Sequence, residues 1–292
     1  MSRGAYSINN SGQIVGYASI YLGYGNACLF DPTGGGNNKN LLTLGGPSSV
    51  AQSINNNGQI VGWADTSPGC SGGACLFDPT GQGNNTNLGI LVGGSFSEAY
   101  SINDKGQIVG YADYNPDYWH ACLFDPTGSG DNIDLGALDG AYSVAQSINN
   151  NGQIVGWADN SSGYFHACLF DPTGDGNNID LGTPGGTWSI AYSINDGGQI
   201  VGYATNSSGY RYACLFDPTG DGNNIDLNSL IDPSSGWYLY ESYSINNNGW
   251  IVGTGDIAPL GHATHAYLLI PEPTSAAIMA LGAALLASKR RR

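Results

Sequence analysis

One eleven-residue stretch, Ser53-Ile54-Asn55-Asn56-Asn57-Gly58-Gln59-Ile60-Val61-Gly62-Trp63, constrains the whole chain because close copies of it occur six times. The Ser-Ile-Asn starts fall at Ser7, Ser53, Ser101, Ser147, Ser193 and Ser244, separated by 46, 48, 46, 46 and 51 residues. A period of this size marks an array of supersecondary units, none of which can bury its own apolar face alone. Within the stretch, Asn57-Gly58 lies between two runs of strand formers. That dipeptide favours a two-residue type I′ hairpin loop, which needs φ > 0 at both central positions.

A two-residue loop sets a register. It places Gln52 opposite Trp63, Tyr6 opposite Tyr17, Tyr100 opposite Tyr111, Gln146 opposite Trp157 and Tyr192 opposite Tyr203. Copies with Gln carry Trp across the strand, and copies with Tyr carry Tyr, as expected of side chains that share one space. The sixth copy, with Tyr243 opposite Thr254, leaves this pattern.

Each period holds four strand-like pieces. In the third copy they are Ala99 to Asn103, Gln107 to Ala112, Ala121 to Phe124 and Asn132 to Gly136, with Asp125-Pro126-Thr127-Gly128 closing the third. Four short strands repeated in this way predict an all-β fold, a β-propeller of six four-stranded blades. A β-solenoid is the runner-up, although its coils are usually shorter and its strands parallel. The sixth copy ends without a fourth strand, and the first lacks the Leu-Gly-x-x-Gly-Gly leader seen at Leu181 to Gly186. In a closed propeller one strand from an upstream segment would supply both, so the start is expected to be truncated.

Charge narrows the functions open to the chain. Apart from Glu272 and the four cations at 289–292, it carries 22 acidic residues and four basic ones. Such a body repels phosphate backbones, so no nucleic-acid partner is expected. Five of the six cysteines (Cys28, Cys75, Cys122, Cys168 and Cys214) hold the same place in successive repeats and read as buried packing thiols. The sixth, Cys70, flanks a short loop with Cys75 and is close enough in sequence to pair with it in an oxidising compartment.

The groups that could carry chemistry are few. Asp171, Asp175, Asp217 and Asp221 sit in Asp-Pro-Thr-Gly-Asp-Gly turns that resemble the first half of a calcium loop. No copy supplies the closing Glu, and Asp, Pro and Gly also suit a plain turn. No other cofactor is indicated. His120, His166 and His265 fall in different repeats, where packing or a strand-end hydrogen bond is the expected role. Glu98 and Glu241 are the only glutamates of the body available to a glycosidase pair, and the sequence gives them no partner. Tyr24, Tyr118, Trp119, Tyr164 and Tyr210 precede the Ala-Cys-Leu-Phe strands and would share one loop face. There they could stack on sugars, or simply stiffen each hairpin.

The last segment differs in kind. Pro271-Glu272-Pro273 ends the repeat domain (1–270). The segment 271–292 continues through an apolar run, read as a short helix with residues 274–288 reaching the membrane, to Lys289, Arg290, Arg291 and Arg292.

The Gly-Gly-x-x-Ser-x-Ala-x-x-Ile-Asn-x-x-Gly-Gln-Ile-Val-Gly pattern, followed by His-Ala-x-Leu, resembles the HAF-type extracellular repeat over residues 4–270. Cys or Tyr stands where that family usually has Phe. The tail is similar to PEP-CTERM sorting signals. These resemblances imply export, processing by an exosortase-type protease, and delivery to the bacterial surface or extracellular matrix. Met1-Ser2-Arg3-Gly4 contains no signal-peptide apolar region, a departure that the expected truncation would explain. The expected function is non-enzymatic, with polysaccharide or partner proteins held on the loop face; a secreted propeller hydrolase or lyase is the alternative.

Overall fold

A computed structural model describes residues 3–21, 24–68, 72–115, 117–257 and 264–271. The tail from Glu272 onward lies outside these residues, as does Cys70. The sorting-signal residues Glu272, Pro273 and Lys289 to Arg292, and the membrane run, are therefore not placed. Among the described residues no helix is long and apolar enough to cross a membrane.

The fold is nearly all β, in six antiparallel sheets that follow the six repeats. The first holds β1 (Arg3–Ile8), β2 (Ile14–Tyr21), β3 (Tyr24–Phe30) and β4 (Lys39–Asn40); the second β5 (Ser49–Ile54), β6 (Ile60–Asp65), β7 (Gly72–Phe77) and β8 (Thr86–Asn87). The third holds β9 (Ser97–Ile102), β10 (Ile108–Asn115), β11 (Tyr118–Phe124) and β12 (Ile133–Asp134); the fourth β13 (Asp139–Ile148), β14 (Ile154–Asn160), β15 (Phe165–Phe170) and β16 (Ile179–Gly182). The fifth holds β17 (Ser189–Ile194), β18 (Ile200–Thr205), β19 (Arg211–Phe216) and β20 (Ile225–Asp226). The sixth has three strands, β21 (Trp237–Ile245), β22 (Ile251–Ile257) and β23 (His265–Leu269). Strand order is sequential in every sheet, and the fourth strand is short.

Two compact units divide the chain. One is Met1–Ile154, Ala158–Gly163 and Phe170–Asn178; the other is Val155–Trp157, Tyr164–Leu169 and Ile179–Arg292. Each is built by the same rule. In the first unit, Val15, Ala27 and Leu41 of the first sheet pack with Ala51, Ile54, Ile60, Cys75 and Phe77 of the second. Val61, Ala74 and Leu88 of the second sheet then meet Ala99, Ile102, Ile108, Cys122 and Phe124 of the third. The second unit repeats this with Val155, Ala167 and Leu181 against Ile194, Ile200, Cys214 and Phe216, and with Val201, Ala213 and Leu227 against Leu239, Ile245 and Ile251. Adjacent strand residues face opposite sides. In these clusters the Ile of Ile-Val-Gly therefore serves the junction before it and the Val the junction after, which is why both are apolar.

The hairpin differs from the two-residue loop expected. Ile54 pairs with Ile60, leaving five residues outside the ladder. Gly58 N–H donates to the Asn55 carbonyl and Asn55 N–H to the Gln59 carbonyl. Gly58 has φ +79°, and Asn57 is not among the residues with positive φ. This is the three-residue hairpin, in which only the glycine must be left-handed.

The register is corrected with it. A β-bulge at Gln52 breaks the ladder between Ala51 and Ser53, so Val50, not Gln52, pairs with Trp63. The same break falls at Tyr6, Tyr100, Tyr192 and Tyr243. The bulge still brings the tyrosines together: ring centroids lie 5.9 Å apart for Tyr6 and Tyr17, 5.7 Å for Tyr100 and Tyr111, and 6.0 Å for Tyr192 and Tyr203. It also dictates a glycine. A Cβ on Gly110 would come 1.9 Å from the Glu98 carbonyl oxygen, and one on Gly62 would come 2.0 Å from that of Val50.

Candidate functional site

The residue that joins the sheets is the Asn of Ser-Ile-Asn. Asn55 Nδ2 donates to Gln59 Oε1 at 2.7 Å within its hairpin and to the Asn103 carbonyl of the next repeat at 2.9 Å. Its Oδ1 accepts from Asn57 N–H and Gln59 N–H. All four hydrogen-bonding positions of the amide are used. Asn9 reaches the Asn55 carbonyl, Asn103 that of Asn149, and Asn195 that of Asn246 in the same way.

A second ladder runs through the turn that follows the third strand. Asn85 Nδ2 donates to the Leu41 and Thr43 carbonyls of the preceding repeat, and its Oδ1 accepts from Asp78 N–H. Asn132 and Asn178 do likewise, and Asn224 donates to the Leu181 carbonyl while accepting from Asp217 N–H. The sequence shows these asparagines only as turn formers; the signal was their constancy where φ alone does not require Asn.

The Asp-Pro-Thr-Gly turns close on themselves. Asp171 Oδ1 accepts from Thr173 N–H and Oγ1–H, and its Oδ2 accepts from both Asn177 nitrogens. These bonds, led by the Thr173 amide, hold the carboxyl down to about 2. Asp217 is built identically. Asp175 contributes its N–H to Thr173 Oγ1, and Asp221 does the same to Thr219. Among the described residues no group of three or more His, Cys, Asp or Glu is placed to hold a metal ion. In each turn the leading carboxylate is thus engaged by its own loop.

His120 and His166 make strand-end hydrogen bonds, each through Nδ1, to Asp134 and Asp180 at 2.8 Å. Among the described residues His265 stands in a three-stranded sheet and pairs with no such aspartate. Cys28, Cys75, Cys122, Cys168 and Cys214 are buried free thiols. Burial pushes the Cys122 and Cys168 thiols well above their ordinary range, the opposite of activation.

The two body glutamates occupy the same repeat position, each in its own unit. Glu98 Oε1 accepts from Gln52 Nε2 at 2.8 Å and its Oε2 from Tyr100 Oη at 3.3 Å. Burial raises its pKa against these bonds, which act to lower it. Glu241 pairs with Arg211 at 2.5 Å, and the guanidinium lies 4.5 Å from the centre of the Tyr203 ring. Their partners are amide, phenol and guanidinium groups rather than a second carboxylate. In the first unit a shallow hollow of about 500 Å3 beside Lys105, Gln107 and Asp131 includes Asp125, whose carboxylate is bound by its own turn.

The aromatic residues named from sequence do reach solvent. Tyr24, Tyr118, Trp119, Tyr164 and Tyr210 are all exposed, Tyr210 most of all at 69 %. In the first unit Trp119 and Tyr118 pack on Tyr142 at 4.4 and 5.6 Å. Beside them Tyr114 stacks on His120 at 5.0 Å, the planes 6° apart. In the second unit Phe165 lies between Trp157 and Trp188, at 4.4 and 5.0 Å, and Tyr164 meets the Trp188 edge. Tyr142 and Trp188 were not legible as partners, because their equivalents in the second and third repeats are Ser48 and Phe96.

The fold and these groups define an all-β repeat protein with solvent-facing aromatic clusters. Sequence comparison finds no matching family and no matching curated protein.

Proposed function

We propose that this chain is an exported bacterial surface or extracellular-matrix protein, non-enzymatic, whose exposed aromatic residues at the starts of the third strands bind polysaccharide. At the finer level of fold, its sheets are blades of β-propeller type. The resemblance to HAF-type repeats and PEP-CTERM tails supplies the location, with an exosortase-type protease acting on the segment 271–292. One observation carries the binding role: Asn side chains of the repeat are engaged within and between repeats, whereas Tyr118 and Trp119 are exposed and pack at a tilt on Tyr142. Aromatic faces edged by Asn and Asp suit sugar rings, which offer C–H faces and hydroxyl edges.

The test is retention of the purified chain on a panel of immobilised polysaccharides, with and without a calcium chelator. Trp119→Ala is expected to weaken binding at least tenfold without changing the thermal midpoint much, and the chelator to change nothing. Equal retention of wild type and Trp119→Ala would remove this face from the account.

The alternative, a glycan hydrolase or lyase, draws on a specific feature. Glu98 is a buried carboxyl of raised pKa beside Tyr100 and Tyr111, the kind of group that can act as a general acid.

A further inference from the structure

Every internal junction has two unlike halves, and each end of the array leaves one half bare. Ile8 is 63 % exposed, whereas its equivalents Ile54, Ile102, Ile148, Ile194 and Ile245 are each 6 % exposed. Val252 is 43 % exposed, whereas Val15, Val61, Val109, Val155 and Val201 are fully buried. Leu268, on the same face as Val252, is exposed as well. Trp250 is exposed where the other copies carry Gln, and Ile270 where they carry Asp.

The polar halves are unmatched in the same sense. Asn55, Asn103 and Asn149 each offer a carbonyl to the amide of the preceding repeat; among the described residues the Asn9 carbonyl accepts only from Gly12 N–H. At the other end, Asn246 Oδ1 is used by Asn248 and Trp250, but its Nδ2 has no acceptor among the described residues. Next to it, Asn56, Asp104 and Asn247 accept at Oδ1 from the N–H of Asn10, Asn56 and Asp196, one repeat earlier. Asn10 has the oxygen for this contact, and Asn247 the N–H.

We propose that a second copy of this chain covers these faces, the sixth sheet of one copy docking on the first sheet of the next in the geometry of an internal junction. Asn246 Nδ2 then donates to the Asn9 carbonyl and Asn247 N–H to Asn10 Oδ1, while Val252 and Leu268 pack against Ile8, Ile14 and Phe30. Two points favour another copy over an unrelated partner. The contact continues a junction already made within each unit, with the same residue types at its polar positions. None of the residues named is charged, although the chain has 23 acidic and 8 basic residues, so the faces themselves add no like-charge repulsion. The contact is heterologous and therefore head-to-tail.

Sedimentation velocity of the full chain over a hundredfold concentration range tests this. Association is expected to rise with concentration and with salt, which screens the net charge of −15 per copy. Ile8→Lys and Val252→Lys change exposed side chains; each variant is expected to keep the wild-type circular dichroism and stay monomeric. Mixed in equal amounts they should form a 1:1 complex and stop there, because each retains the half that the other has lost. Leu268→Lys serves as a second variant of the sixth-sheet face. A wild-type chain that stays monomeric throughout, as it would if its own ends or tail covered the faces, overturns the proposal. So does a mixture that forms no complex, or self-association that neither variant alters. None of these readouts depends on polysaccharide binding.

Discussion

Asn103 uses its whole side-chain amide at one point: two bonds accepted inside its hairpin, one donated to Gln107 and one to the Asn149 carbonyl. Removing it takes the side-chain acceptor from Lys105 N–H and Gln107 N–H and one of the two donors from the Asn149 carbonyl, and a buried group left unsatisfied costs about 1–3 kcal/mol. Asn103→Ala should therefore lose about 2–3 kcal/mol in urea unfolding. Asn246→Ala should lose clearly less in a monomeric chain, because Asn246 is exposed and among the described residues its side chain makes bonds only within its own hairpin. Equal losses would mean that the link between repeats contributes nothing. Gly110 is demanding for a different reason, since a Cβ would collide with the bulged strand's backbone. Gly110→Ala should cost about 3 kcal/mol, as overpacking that no side-chain rotation relieves. Both residue types were visible as constants of the repeat. What they do was not, because it depends on a neighbouring repeat or a bulged partner strand.

At the scale of the element, the number and order of strands were legible because apolar runs and turn residues are local signals. The bulge was not. It moves one residue out of the ladder while keeping Tyr100 against Tyr111, so covariation along the sequence fitted an unbulged register equally well. The Asp turns yield a prediction with a definite sign. Asp31, Asp78, Asp125, Asp171 and Asp217 are all held below the usual carboxylate range, Asp78 and Asp171 to about 2. A group with a depressed folded pKa stabilises fully above its unfolded value, about 3.9, and loses that contribution as pH falls through the folded one. The thermal midpoint should therefore drop between about pH 4 and pH 2. The gap between wild type and Asp171→Asn should narrow over the same range; a gap that stays constant would show that the Asp171 charge does not matter.

At the scale of the whole molecule, repeat arrays draw their stability from junctions as much as from units, and here both ladders and the apolar faces serve those junctions. On the proposed reading, the solvent-facing aromatic clusters take ligands and the exposed terminal faces take another copy. Their positions were partly legible: Tyr118 and Trp119 stood out, while Tyr142, from the next repeat's leader, completes the surface only in three dimensions. Glu98 and Glu241 are each engaged by neighbouring side chains, Glu98 by Gln52 and Tyr100 and Glu241 by Arg211. The most direct measurement incubates the purified chain with each polysaccharide it retains and follows release of reducing ends and unsaturated products. Glu98→Gln and Glu241→Gln serve as controls. Retention without product release is expected, and the same retention for both variants. Sustained product release that Glu98→Gln or Glu241→Gln abolishes would contradict it and make the protein an enzyme.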